Sequence, residues 1–144
     1  MLANLHRYLS CIAFTGPAVE LEPVTATLSS TLTFTSTTHQ AVAGNCIDGN
    51  TSNGGYCHTQ KDATPWIAID YGTRVSVERV DIFNRVDCCG ERTQNVDVRI
   101  SDELPTSGSQ MFSGGTLLGH FAGPATDGQH IIVSGQKLLQ NHHC

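Results

Sequence analysis

The chain contains no apolar run near the eighteen or so residues that a membrane-spanning helix needs, so membrane insertion by such a helix is excluded for these residues. Basic residues are scarce as well: 8 Lys and Arg stand against 13 Asp and Glu, for a net charge of −5. Polyanions are not drawn to such a surface, which argues against nucleic acid or an anionic membrane as the main partner. Helical periodicity of useful length is missing, since no segment keeps apolar residues at every third and fourth position. Nor does a clean small-x-small cleavage site follow Arg7 and the short apolar stretch 8–14. Residues 1–24 are therefore read as a leader or poorly ordered N-terminal segment, and 25–144 as one domain.

What is present is cysteine, turn chemistry and β-branched residues. Six cysteines in 144 residues point to an oxidising setting, either secreted or within a secretory granule. A hydrophobic share of 39% is enough for one core. Val96, Val98 and Ile100 alternate with Asp97, Arg99 and Ser101, the pattern of a half-buried strand. Residues 66–71, 75–83, 117–121 and 130–133 supply further strands. Within the Ser/Thr-rich stretch 25–38, apolar residues at even spacing place an edge strand in the second half, the alternative being a mucin-like stalk. Ala43-Gly44-Asn45, Asp48-Gly49-Asn50, Asn53-Gly54-Gly55, Gly123-Pro124 and Asp127-Gly128 are turn signals. Many short strands broken by turns make an all-β antiparallel sandwich.

Residues 84–92 pack two arginines, two carboxylates and two adjacent cysteines into a short span. Arginine presents a rigid fork of donors with no acceptor, so Arg85 and Arg92 near Asp87 make a donor array fixed by an internal ion pair. Such an array suits hydroxyl oxygens. On geometry alone Cys88 and Cys89 favour separate partners, because neighbouring Cα atoms lie about 3.8 Å apart and disulfides usually span about 4.4 to 6.8 Å. Bonded to each other, they would form an apolar, polarisable plate. Donors beside such a plate match a sugar ring, with its hydroxyl edge and its C–H face.

Twenty-six residues separate His58 from Arg85, one lies between Arg85 and Asp87, and four separate Asp87 from Arg92. This resembles the signature of the F-type lectins, the fucose-binding lectins typified by eel serum. Asn45-Cys46-Ile47-Asp48-Gly49-Asn50 resembles the family's Asn-x-x-Asp-Gly-Asn loop, and Pro65 to Asp70 its Pro-Trp-x-x-x-Asp strand. The likeness runs from about residue 33 to 101 and fades toward the C-terminus, where the final strand is divergent or truncated. It implies a jelly roll of about eight strands and a non-catalytic lectin for terminal L-fucose. His58 would meet the 3-hydroxyl or ring oxygen, Arg85 and Arg92 the axial 4-hydroxyl, and Asp87 would hold both guanidiniums. The resemblance further implies a vicinal Cys88–Cys89 disulfide against the sugar face and favours Cys57–Cys144. Among Cys11, Cys46, Cys57 and Cys144 three pairings exist, and Cys46–Cys57 competes. Tyr56 is a candidate wall for the sugar methyl, in a loop shorter than the family pattern.

The same loop, through Asn45, Asp48, Asn50 and Gly55, implies a structural calcium ion held by oxygen ligands. A single carboxylate is few for that ion, and the Glu that completes the cage in the family is missing after Cys144. The plain alternative is a glycine turn with Asx hydrogen bonds. The sequon Asn50-Thr51-Ser52 would compete with a metal and is expected to be unused. The enzymatic rival is a glycoside hydrolase using Asp87 and Glu91, but flanking arginines work against the raised pKa a general acid needs. A zinc site from His39, Cys46, Cys57 and His58 has the ligand types without a regular spacing. The expected partners are fucosylated glycans and glycoproteins, with a homo-oligomer supplying avidity, in innate defence or in gamete adhesion like the molluscan sperm bindins.

Overall fold

The computed structural model describes residues 9–13, 19–33, 40–51, 55–105 and 114–135. Among them are eight strands: β1 (Leu9–Ala13), β2 (Val19–Leu21), β3 (Thr25–Leu28), β4 (Ile67–Asp70), β5 (Arg79–Phe83), β6 (Val96–Ile100), β7 (Thr116–Phe121) and β8 (His130–Ser134). Among the described residues helix is limited to two short 3₁₀ turns, Ala43–Cys46 and Gly90–Arg92. All pairings are antiparallel, in a four-stranded sheet ordered β2-β1-β5-β8 and two-stranded sheets β3-β4 and β6-β7.

The period-2 pattern decides which face is buried. In β6, Val96, Val98 and Ile100 turn inward while Asp97 faces solvent, and in β8 Ile131 and Val133 turn inward between exposed His130, Ile132 and Ser134. In the β5–β8 ladder Val80 lies opposite Val133 and Ile82 opposite Ile131. These side chains join Ile69 from β4 and Leu118 from β7 in one buried cluster, so the three sheets close around a single core as a β-sandwich. Each such side chain contributes about 1.5–3 kcal/mol by leaving water. Gly119 lets β7 pass close to β8, since a Cβ there would lie 2.7 Å from the Val133 side chain.

The N-terminal part of the chain holds strands that the sequence reading did not place. The Ser/Thr-rich stretch forms its strand in the first half, at Thr25–Leu28, where Thr25 and Leu28 pair with Asp70 and Ile67. Residues 34–38 of the second half, where the edge strand was expected, lie outside the described residues. Within the segment read as a leader, residues 9–13 and 19–21 are strands, and β1 sits between β2 and β5 with Leu9 opposite Ile82. An alternating run as short as Leu9-Ser10-Cys11-Ile12 gains its ordering from the exposed edge of β5, a tertiary partner that local sequence does not reveal.

Candidate functional site

Phe83 at the end of β5 is the register partner of His130 at the start of β8. The chain leaving β5 and the chain entering β8 therefore run side by side at one end of the sheet. Asn84 ties them together. This residue is only 2% exposed. Its Nδ2 donates to the carbonyls of Gly90 at 3.0 Å and Thr126 at 2.9 Å, and its Oδ1 accepts from Thr93 Oγ1 at 2.9 Å. The Gly90 N–H donates to Asp127 Oδ1 at 2.7 Å, and the Gly128 N–H to the Arg85 carbonyl at 2.6 Å. Cys89 turns the chain through the left-handed region at φ 66°. Gly90 has no room for a side chain, because a Cβ would lie 2.5 Å from the Asp127 nitrogen. Arg85 and Arg92 thus stand at the two ends of one anchored loop.

The Arg85 side chain is 15% exposed. Its Nε and Nη2 both donate to the Asp87 carboxylate, the Nη2–Oδ2 bond measuring 2.8 Å. That bond raises the Arg85 pKa still further, so the guanidinium is permanently charged. Its carbon lies 4.4 Å above the centre of the Tyr56 ring. Clamp and stack together fix the plane of the fork. Tyr56 also neighbours His58, with ring centres 6.3 Å apart at 55°. Cys88 and Cys89 are half-buried on the same loop.

His58 is 7% exposed and buried next to Thr59, whose carbonyl its Nδ1 contacts. With a carbonyl as partner, Nδ1 carries the proton and Nε2 is left as an acceptor. Burial lowers the His58 pKa, the Thr59 bond opposes this, and the charges of Arg92 and Arg85 lower it again. The imidazole is therefore neutral at pH 7. Tyr56, beneath Arg85 and beside His58, links the imidazole to the Arg85–Asp87 pair, and the positive charge of Arg92 also bears on His58. Asp87, expected between the two guanidiniums, makes its bidentate pair with Arg85, and Arg92 is exposed.

The cysteines differ from expectation. Cys88 and Cys89 are free thiols, consistent with the short Cα separation across a trans peptide. Cys88 hydrogen-bonds Cys89, and this raises its pKa, keeping the thiol form. Cys57 bonds to Cys46, with Cα atoms 5.3 Å apart and a separation of 11 positions in sequence. This replaces the expected Cys57–Cys144 bond, and Cys144 lies outside the described residues. The competing pairing spans a short loop whose two ends Asn45 joins, its Nδ2 donating to the Tyr56 carbonyl at 3.1 Å. It also removes the two thiols that a zinc site would need, and His39 lies outside the described residues.

The calcium loop closes on itself. Asn45 Nδ2 donates to the carbonyls of Gln40 at 2.8 Å and Tyr56 at 3.1 Å, and the Asn50 N–H donates to Asp48 Oδ1 at 2.9 Å. Gly49 supplies the positive φ of 72° that this Asx turn requires. Asp48 and Asn50 are exposed, Gly55 is half-buried, and among the described residues no group of three or more acidic, His or Cys side chains converges. Calcium usually gathers about six to eight oxygens, and among these residues Asp48 supplies the one carboxylate.

Asn84, Thr93, Gly90 and Asp127 were not singled out from sequence. Asp127-Gly128 signalled a turn, but nothing in the spacing joins Asn84 to Thr126, 42 residues away.

Residues 45–117, just over half the chain, match the family of NedA-like, galactose-binding domains. The chain belongs to that family. Within it, this F-type lectin domain is 36% identical over 115 residues to fucolectin-2 of Anguilla japonica, covering 71% of this chain and 63% of that one. It is 36% identical over 70 residues to the fucolectin of Anguilla anguilla, covering 46% and 44%. To the pentraxin fusion protein of Xenopus laevis it is 38% identical over 66 residues, covering 43% and 16%. The lectin domain thus spans under half the length of these last two relatives. No solved structure matches significantly. The family match and the likeness to the fucolectins identify an F-type lectin domain. Among the described residues no helix is long and apolar enough to cross a membrane.

Proposed function

We propose that this lectin domain binds terminal L-fucose and catalyses no reaction. One observation carries the reading: the Arg85 fork, clamped by Asp87 and stacked on Tyr56, shares a neighbourhood with neutral His58 and with Arg92. In this arrangement Arg85 and Arg92 donate to the axial 4-hydroxyl, and His58 Nε2 accepts from the 3-hydroxyl. The half-buried sulfurs of Cys88 and Cys89 offer the polarisable surface for the C–H face, as thiols rather than as a disulfide. The names of the fucolectin relatives support fucose as the sugar. A hydrolase reading is not favoured. Asp87 accepts two hydrogen bonds from a guanidinium and has no proton to give a leaving group.

Fucosylated glycans and glycoproteins are the proposed partners, met outside the cell or in a secretory granule. Monosaccharide affinity is weak, at about −4 to −6 kcal/mol, because one sugar buries few atoms. Several copies acting together supply avidity in either defence or gamete adhesion. The test is Arg92→Ala, an exposed charge whose removal abolishes fucose binding while the melting temperature stays within about 2 °C of the parent. Full binding by Arg92→Ala would contradict the assignment.

A further inference from the structure

Tyr56 and His58 sit on a segment, residues 55–60, that belongs to no strand or helix. Their placement does not come from a sheet ladder. Three consecutive ties supply it instead, all to the stretch 41–46. The His58 N–H donates to the Ala41 carbonyl at 3.2 Å, Cys57 is bonded to Cys46, and the Tyr56 carbonyl accepts from Asn45 Nδ2 at 3.1 Å. The His58 carbonyl is held as well, by the Leu32 N–H at 2.9 Å. The stretch that does the holding is ordered by its own bonds. Around the 3₁₀ turn Ala43–Cys46, the Asn45 N–H donates to the Val42 carbonyl and the Ile47 N–H to the Gly44 carbonyl, both at 3.1 Å. Ala41, Cys46 and Cys57 are buried beneath it.

We propose that Asn45 is a positioning residue of the sugar site, a two-armed donor that holds Tyr56 beneath Arg85 and His58 beside it; the proposal rests on the fucose reading above. The chemistry of the amide decides its direction. Nδ2 carries two hydrogens and meets two carbonyl oxygens, of Gln40 at 2.8 Å and of Tyr56 at 3.1 Å. Carbonyls only accept, so the nitrogen of the amide and not its oxygen must face them. Asn45 works here as a donor, whereas the family loop implies an oxygen ligand to calcium. Its leverage on the sugar runs through Tyr56. The carbonyl that Asn45 grips belongs to the residue whose ring lies 4.4 Å from the Arg85 guanidinium carbon and 6.3 Å from the centre of the His58 ring. A shift of the Tyr56 backbone tilts the ring on which the Arg85 fork rests and carries the neighbouring His58 with it.

Asn45→Asp separates the two roles, since it keeps oxygens for a cation and loses both donor hydrogens. It also sets a carboxylate against two carbonyl oxygens that repel it. Calorimetry on the full chain is expected to show fucose affinity at least tenfold weaker than in the parent, equally with calcium and with a chelator. Asn45→Ala removes the donors without adding charge, should weaken fucose by threefold or more, and serves where the acidic variant does not fold. NMR reports the positioning itself. The Arg85 side-chain protons, shifted upfield by the Tyr56 ring in the parent, should move back toward their ordinary positions in both variants. Arg79→Ala is the control for lost stability, because it strips a 2.8 Å hydrogen bond from buried Asp81 at the end of β5 remote from the arginine loop. That control should melt lower and bind fucose as the parent does. Full fucose binding by Asn45→Asp and Asn45→Ala, or equal weakening in Arg79→Ala, would overturn the proposal. So would parent binding that a chelator abolishes and that Asn45→Asp retains at lower calcium, since Asn45 would then act through its oxygen. If free L-fucose fails to bind the parent, the fucose reading falls. Arg85 shifts retained in the variants would overturn the hold on Tyr56 independently of any sugar.

Discussion

Replacing Asn84 with Ala should cost both stability and sugar binding, because one buried amide holds the arginine loop to the strand β8 approach. The substitution removes three hydrogen bonds, to Gly90, Thr126 and Thr93. At about 1 kcal/mol net for each, the loss is about 3 kcal/mol. The Gly90 and Thr126 carbonyls keep partners in the N–H groups of Thr93 at 3.0 Å and Gln129 at 3.2 Å, so they add little. The buried Thr93 hydroxyl loses its acceptor and adds about 1 kcal/mol. A domain of this size loses about 2–4 °C of melting temperature per kcal/mol, which puts the drop at roughly 10 °C. With the loop loosened, Arg85 and Arg92 no longer share a fixed spacing, and fucose affinity should fall at least tenfold, about 1.4 kcal/mol. Scanning calorimetry and fucose titration on the same sample measure both. A variant that melts within 2 °C of the parent and binds fully would refute the role given to Asn84.

Acidification provides another test. The folded His58 pKa lies below its ordinary value of about 6.5, so the unfolded chain takes up a proton first. The stability owed to neutral His58 is full above pH 6.5 and is lost as pH falls through the folded value, and NMR titration of the His58 ring should place its midpoint below 6.5. Peptide mapping after alkylation without reductant should find Cys88 and Cys89 modified and Cys46 linked to Cys57; a Cys88–Cys89 bond would contradict the structure. Reducing Cys46–Cys57 should lower stability by about 3 kcal/mol, the entropy of a loop of this length. A chelator should leave the melting temperature unchanged, since the Asp48 turn closes through its own hydrogen bonds; a large drop would show a cation site completed by residues beyond those described.

The strands that sequence revealed most plainly are those whose burial follows strict alternation, Val96 to Ile100 and His130 to Val133, because a period of two alone decides the face. The site was legible for a different reason. Arg85, Asp87 and Arg92 lie on one loop, and Arg85 and Asp87, two positions apart, pair directly. Tyr56 emerged as the ring beneath Arg85, a contact across 29 positions that its place beside Cys57 and His58 only suggested. The supports were hidden. Asn84 looks like any loop asparagine until the β5–β8 register brings Thr126 to it, and β1 becomes a strand only through the edge that β5 offers. Cysteine pairing was open for the same reason, since three pairings are equal in sequence and one is chosen by the fold around Cys46 and Cys57.

The central claim is that two anchored arginines and a neutral His58 read the axial 4-hydroxyl of fucose. Calorimetric titration with L-fucose and with 6-deoxy-L-glucose, which differs only in the orientation at C4, addresses it directly. The account predicts saturable binding of L-fucose with a Kd between high micromolar and millimolar, corresponding to about −4 to −6 kcal/mol, and no measurable heat from the epimer. Equal binding of the two sugars, or stronger binding of D-mannose than of L-fucose, would contradict it.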